Sequence, residues 1–163
     1  KEHLSSGECL EDFKVTSEFS YRSKHCAEDN LLLVGDAFAF LDPVFSSGLF
    51  LALYSGVLAG DTVLEAFKKK DFTASAFTGY SEDFTKGLEA MRSLVYAFYN
   101  PEFSFAKFIK KYPHLHSDLT DCLIGNLYRD FDELFDAMKD FADMPEALEH
   151  GKPLIRHDAN VKV

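Results

Sequence analysis

The run Leu31-Leu32-Leu33-Val34-Gly35-Asp36 places a carboxylate directly after a short stretch that is apolar at every position. Such a stretch predicts a strand covered on both faces, as in a parallel sheet. An acidic side chain at its carboxyl end then stands at the rim where open α/β folds bind ligands. There Asp36 can accept a hydrogen bond from a sugar or polyol hydroxyl. Further on, Asp42-Pro43-Val44-Phe45-Ser46-Ser47-Gly48-Leu49 leads into a helix. The first N–H groups of a helix lack intrahelical partners and have the positive end of the dipole behind them. The Ser47-Gly48 end can therefore stabilise negative charge on a phosphate, a halide or a reduced cofactor ring. Pro43 sets the approach of the chain, and Gly48 lets a backbone come close. Taken singly, Asp36 is equally well explained as a turn residue and Ser46 as a helix cap; only the string as a whole speaks for chemistry.

Several elements must hold this string in place. From Phe13 to Tyr21, Phe13, Val15, Ser17, Phe19 and Tyr21 alternate with Lys14, Thr16, Glu18 and Ser20, which predicts a strand with one wet face. Gly35-Asp36 ends the apolar strand and Pro43 forbids a regular helix through Asp42, so residues 35–47 form a long structured loop. Long ordered loops after a buried strand are usually functional. A helix capped by Ser46 or Ser47 is expected from about Gly48 to Lys68. Its stripe of Ala52, Ser55, Gly56, Ala59 and Gly60 would let it lie close against a sheet or another helix.

The remainder reads as helical. Tyr80, Phe84, Leu88, Met91, Val95 and Phe98 recur at three- and four-residue spacing until Asn100-Pro101. A shorter piece is expected over Glu102–Tyr112, another helix capped by Ser117 with Leu119, Cys122 and Leu123, and a last stripe from Leu127 through Phe131, Leu134, Phe135 and Met138 to Phe141. These aromatic stripes suit a plain core, and no chemistry is assigned to them. Residues 1–70 are expected to hold the strands, the loop and the first helix, 71–150 a helical subdomain and 151–163 a loose tail. The fold class is α/β to mostly α.

With 163 residues and 47% hydrophobic composition the chain can bury a real core. A net charge of −10 argues against nucleic acid as a partner and against an anionic membrane surface. The lysine clusters 68–70 and 110–111 fall near expected helix ends, where cations favour the dipole. Cys9, Cys26 and Cys122 form no CxxC pair, which suits a reducing cytoplasm. His114 and His116 have no supporting ligand at metal-binding spacing, so no metal site is expected. No apolar run is expected to reach the roughly 18 residues of a membrane span, because Ser55, Gly56, Gly60 and Asp61 interrupt the stretch after Gly48.

Gly35-Asp36-Ala37, then Asp42-Pro43-Val44-Phe45-Ser46-Ser47-Gly48-Leu49, then Leu51-Ala52-Leu53 and Ser55-Gly56 closely resemble the second FAD motif of flavin-dependent halogenases and their monooxygenase relatives. The likeness extends more weakly through Phe19-Ser20-Tyr21-Arg22-Ser23 and Phe98-Tyr99, covering most of residues 13–140. It implies a Rossmann-like FAD-binding domain, its last strands followed by a helical subdomain. By the same resemblance Asp36 binds the ribityl chain, and Gly35, Pro43, Ser46, Ser47, Gly48 and Leu49 line the flavin. The Ser47 and Gly48 amides would hold chloride or bromide. Phe45 stands where tryptophan halogenases have a glutamate, which places the chain nearer the phenol- and pyrrole-type branch.

No GxGxxG fingerprint occurs in the chain, and the halogenase lysine belongs to the family's upstream half. Phe38 and Phe40 are bulkier than is usual in that loop and would narrow the cofactor site. The resemblance implies an FAD-dependent enzyme of which this is the C-terminal portion, using reduced FAD, oxygen and halide on an aromatic or carrier-bound substrate, with a flavin reductase as partner. Two alternatives stand beside it: a flavin hydroxylase or geranylgeranyl-reductase-like enzyme, and a non-catalytic helical binding module that retains the loop.

Overall fold

A strand forms only where its backbone finds a hydrogen-bonded neighbour. The computed structural model describes residues 7, 15, 19–127 and 129–155, and within them four strands of two residues each form. They are β1 (Tyr21–Arg22), β2 (Ala27–Glu28), β3 (Leu31–Leu32) and β4 (Ala39–Phe40). β1 pairs antiparallel with β4, Tyr21 opposite Phe40, and β2 pairs antiparallel with β3. The expected parallel strand over Leu31–Val34 is therefore corrected to one arm of a short hairpin, with Leu31 half exposed. A parallel strand needs partners returned by crossover connections, and among the described residues none lies beside β3. Of the strand expected over Phe13–Tyr21, residues 13, 14 and 16–18 lie outside the described residues; Val15 is almost fully exposed, and among the described residues pairing is seen from Tyr21.

α1 spans Gly48–Lys69, ending one residue beyond the expected position. Its last turn carries Lys68 and Lys69, where cations favour the dipole. The small-residue stripe divides in two. Ser55 and Ala59 are buried, whereas nothing lies within 4 Å of a Cβ built on Gly56 or Gly60. On that outer side Leu49, Leu53, Val57, Leu64 and Phe67 are all exposed. Ser55, Gly56, Gly60 and Asp61 do not interrupt the helix, which corrects one expectation: by length and composition α1, with a window of mean hydropathy 1.4, is long and apolar enough to cross a membrane.

α2 (Thr78–Tyr99) stops at Asn100-Pro101 as its pattern predicts, and buries Tyr80, Phe84, Leu88, Met91 and Val95. Phe98, the last of that stripe, is partly exposed and packs edge to face with Phe45. α3 (Phe105–Lys111) is shorter than expected, and its last turn carries Lys110 and Lys111. α4 (His116–Leu123) starts without a side-chain cap, so the capping role expected of Ser117 is not seen. α5 (Asp132–Met138) takes up only the middle of the last stripe; Leu127 and Phe131 are buried from irregular backbone. The chain is thus mostly helical with short strands. One core joins Phe38 of the loop to Phe84, Leu94, Phe108, Leu119, Leu134 and Met138.

Residues 151–155, expected as the start of a loose tail, are tied down; residues 156–163 lie outside the described residues. Gly151 N donates to the Lys24 carbonyl (2.9 Å) and Leu154 N to that of Ala27 (2.7 Å), while Lys152 forms a parallel bridge with His25. Gly151 takes φ +102°, and a Cβ there would come within 2.7 Å of Thr85 Oγ1. The polar composition that suggested looseness is offset by these main-chain bonds, which no side-chain pattern announces.

Burial makes one pH effect predictable. Cys122 is fully buried, and removal from water pushes its thiol up to about 12 from an ordinary value of 9.0. Its neutral form suits the core, so this contribution is fully present below about pH 9 and is lost as pH rises from there towards 12. Across that window Cys122 should cost roughly 1.4 kcal/mol of stability per pH unit. Denaturant titrations of wild type and Cys122→Ala at pH 8, 10 and 11 should show the variant's alkaline slope flatter by that amount; equal slopes would refute it.

Candidate functional site

Gly35 is buried with φ +53°, a left-handed conformation that favours glycine. It permits close approach as well: a Cβ at this position would lie 3.1 Å from Ala52 Cβ and 3.3 Å from Ala52 Cα. The Gly35 N–H donates to Ser55 Oγ (2.9 Å), and that hydroxyl donates to the Ala52 carbonyl (3.0 Å). One buried serine on α1 thus satisfies a loop amide that would otherwise be stranded.

From this anchor the chain turns through a short 3-10 segment, Gly35–Ala37, which leaves Asp36 exposed. The Asp36 carbonyl accepts from Tyr21 OH (2.5 Å), tying the turn to β1. Phe38 then plunges into the core against Phe84 (ring centroids 5.3 Å), and Phe40 stacks on Tyr21 (6.2 Å, 15°). Phe38 is wholly buried, and Phe40 is partly buried.

The second half of the loop is held by Asp42. Its Oδ1 accepts from Val44 N (3.1 Å) and from Tyr99 OH (2.8 Å), so the turn Pro43–Phe45 is fastened to the end of α2. Ser46 follows at φ +53°, its N–H donating to the Pro43 carbonyl (2.9 Å). Ser47 occupies the N-cap position of α1 and is nearly buried, but its hydroxyl makes no cap bond, and Ser46 makes none either. The capping expected of this pair is corrected: the helix start is set by the Pro43 turn, not by a serine side chain. Gly48 faces open space, and Leu49 is exposed.

The two halves of the motif meet on α1. Ala52, which carries Gly35, lies one turn from Gly48, about 6 Å along the axis. Asp36 and the first amides of α1 therefore sit at one corner of the molecule, an acceptor beside a cluster of donors with positive dipole behind them. Pro43 opens the turn that leads through Ser46 and Ser47 into Gly48 and Leu49 at the start of α1. Gly35 and Ser47 are buried, whereas Asp36 and Gly48 are exposed.

A cavity of about 890 Å³ opens beside this corner, between β1, β4 and α2. Tyr21, Phe40, Asp42, Tyr96 and Tyr99 line it, and Arg22 and Arg92 stand in its wall. Both guanidinium groups meet Glu89: Arg22 Nη1 donates to Oε1 (2.6 Å), and Arg92 Nε and Nη2 donate to Oε2 (2.9 and 2.7 Å). Burial pushes the Arg22 guanidinium below its ordinary value, Glu89 opposes this, and Arg92 adds to it; a guanidinium stays charged nonetheless. Sequence reasoning found neither the cavity nor this triad. Glu89 and Arg92 share a helix face at i,i+3, but Arg22 lies 67 positions from Glu89, a separation no periodicity bridges.

The family model described as "Tryptophan halogenase" matches residues 10–108. A 1H-pyrrole-2-carbonyl-[peptidyl-carrier protein] chlorinase of Pseudomonas fluorescens is 33% identical over 125 residues, 77% of this chain and 28% of that protein. A 1H-pyrrole-2-carbonyl-[peptidyl-carrier protein] brominase of Pseudoalteromonas luteoviolacea is 29% identical over 99 residues, 61% of this chain and 24% of that protein. Among solved structures, the flavin-dependent brominase Bmp2 superposes with a TM-score of 0.63 at 25% identity, covering 75% of this chain and 30% of its own. The chain spans less than a third of the length of these relatives.

Proposed function

Because this chain belongs to the tryptophan halogenase family, we propose that it forms one wall of the flavin site in an FAD-dependent halogenase acting on an electron-rich aromatic substrate. The observation that carries the reading is the close contact of Gly35 with Ala52, which sets the turn bearing exposed Asp36 against the first turns of α1. The site fits a flavin: Gly48 leaves room for a ring edge, and the Asp36 carboxylate is free to meet a hydroxyl chain. When bound, FAD supplies the oxidation of halide by oxygen.

This chain's own residues position and stabilise. Asp36 would accept from a ribityl hydroxyl, and the backbone from Pro43 to Leu49 would help hold the flavin. The Ser47 and Gly48 amides would hold chloride or bromide and stabilise negative charge there, with the Pro43 turn setting the start of the helix beforehand. The lysine that completes the family's chemistry is assigned to none of the residues here. In this reading residues 1–70 complete the FAD-binding domain and 71–150 form the covering subdomain. The exposed apolar side of α1 is where the rest of that domain would pack, which accounts for its hydropathy without a bilayer. The whole enzyme would take reduced flavin from a reductase in the cytoplasm and act on a carrier-bound or free aromatic.

Asp36→Ala should weaken FAD binding by about 10- to 100-fold, the effect of losing a hydrogen bond to a charged acceptor. Stability should change by less than about 0.5 kcal/mol, as at other exposed positions. Flavin fluorescence titration and a melting curve on the same protein measure both. Unchanged affinity would remove Asp36 from the site, and halide-independent turnover by the full-length enzyme would sink the halogenase reading in favour of a hydroxylase.

A further inference from the structure

The Arg22, Glu89 and Arg92 triad holds one more positive charge than it needs. Glu89 and Arg92 already form a complete pair on one helix, with Nε and Nη2 of the arginine on a single carboxylate oxygen. Arg92 Nη2 also donates to the Glu146 carbonyl (2.5 Å). Arg22 adds a second guanidinium whose side chain is only 5% exposed. It spends Nη1 on Glu89, while its buried Nε and Nη2 have no partner among the described residues. An uncompensated buried cation weakens a fold, and a buried donor without an acceptor does so again. Arg22 is therefore poorly explained as a support for Glu89, and it lies in the wall of the 890 Å³ cavity.

The same wall is built for a flat guest. Tyr21 and Phe40 stack nearly parallel, and the Arg92 guanidinium lies 5.3 Å from the centre of the Tyr96 ring. Aromatic faces and an unspent guanidinium edge together select a planar ring that carries an oxygen acceptor.

We propose that Arg22 is a specificity-determining residue that receives the carboxylate or acyl carbonyl oxygen of an aromatic acid whose ring lies between Tyr21, Phe40 and Tyr96. It rests on the flavin reading for the fate of that guest, but binding itself needs no flavin. Nε and Nη2 are buried in the free protein, so the guanidinium must turn toward the cavity when the guest binds. Glu89 keeps its pair with Arg92 through that turn.

The test titrates the 163-residue chain, without FAD, with 4-hydroxybenzoate, with its methyl thioester and with phenol by calorimetry. The acid or the thioester should bind about tenfold or more tightly than phenol, as a charge-assisted hydrogen bond predicts. The acid binding best assigns Arg22 to a free carboxylate; the thioester binding best assigns it to a carrier-bound acyl group. Arg22→Met should abolish the preference while leaving the melting temperature unchanged or raised, since it removes the unpaired cation and spares the Glu89 to Arg92 pair. If that variant does not fold, Arg22→Lys should fold and show a preference reduced severalfold, because an ammonium lacks the fork. Equal affinity for the three probes, or a preference that survives substitution at Arg22, overturns the proposal. Flavin retention is measured separately: a chain that selects the acid but never binds FAD would lose the flavin reading and keep the arginine site, and the reverse result would do the opposite.

Discussion

Valine in place of Gly35 should destabilise the protein by about 3–5 kcal/mol and abolish flavin binding by whatever remains folded. Two costs add. A β-branched residue at φ +53° is strained by about 1–3 kcal/mol, and its Cβ would press on Ala52 at 3.1 Å, with branches reaching further into a site already closed by helix backbone. Overpacking of that kind typically costs about 1–3 kcal/mol. Gly35→Ala should show the strain and only part of the crowding. Combining it with Ala52→Gly separates the terms, because the second change opens space without relieving φ. The double variant should be more stable than the sum of the singles by roughly 1 kcal/mol. Urea unfolding of the four proteins completes the cycle. Strict additivity would mean that the loop does not press on α1, and the claim that this contact aligns the two halves of the site would fail.

Phe84→Ala should cost about 3–5 kcal/mol, the usual result of removing a buried phenylalanine and leaving a cavity. For a chain of this length that is a fall in melting temperature of roughly 8–16 °C. Phe84 is 1% exposed and packs on Phe38 from the loop and on Tyr80 one turn away on α2. Its loss should therefore be felt in the loop: Phe38 loses the surface that fixes the Gly35 turn, and Phe40 follows on β4. The loop amides should exchange with solvent faster in the variant, measured at conditions where both proteins are folded. Phe67→Ala is the control. Phe67 is 65% exposed and touches Phe72 only at its edge, so its truncation should cost under about 1 kcal/mol. Equal costs for the two substitutions would place the core elsewhere.

The helices show how far periodicity carries. α1 and α2 were legible nearly to the residue, because long runs of three- and four-residue spacing leave few other ways to bury an apolar stripe. The last stripe was not. Leu127, Phe131, Leu134 and Met138 all bury, but only Asp132–Met138 is helical, since a side chain can reach the core from irregular backbone as well. The Leu31–Val34 run was misread for a related reason: apolar side chains show that a segment is covered and say nothing about which strand pairs with it.

At the candidate site the division runs along the chain. The turn at Pro43 and the start of α1 at Gly48 were readable because both are local, whereas the cap expected of Ser46 or Ser47 does not form. The sequence by itself determined that an acceptor and an open helix end would stand on one loop, and it determined the family through that string. Only the tertiary structure decided that Ser55 satisfies the Gly35 amide, that Tyr99 holds Asp42, and that Arg22 meets Glu89 at the wall of a cavity. Those contacts join residues 20 to 67 positions apart. Hydrogen-bond and ion-pair geometry depends on where packed elements bring side chains in space, and local spacing carries no record of it.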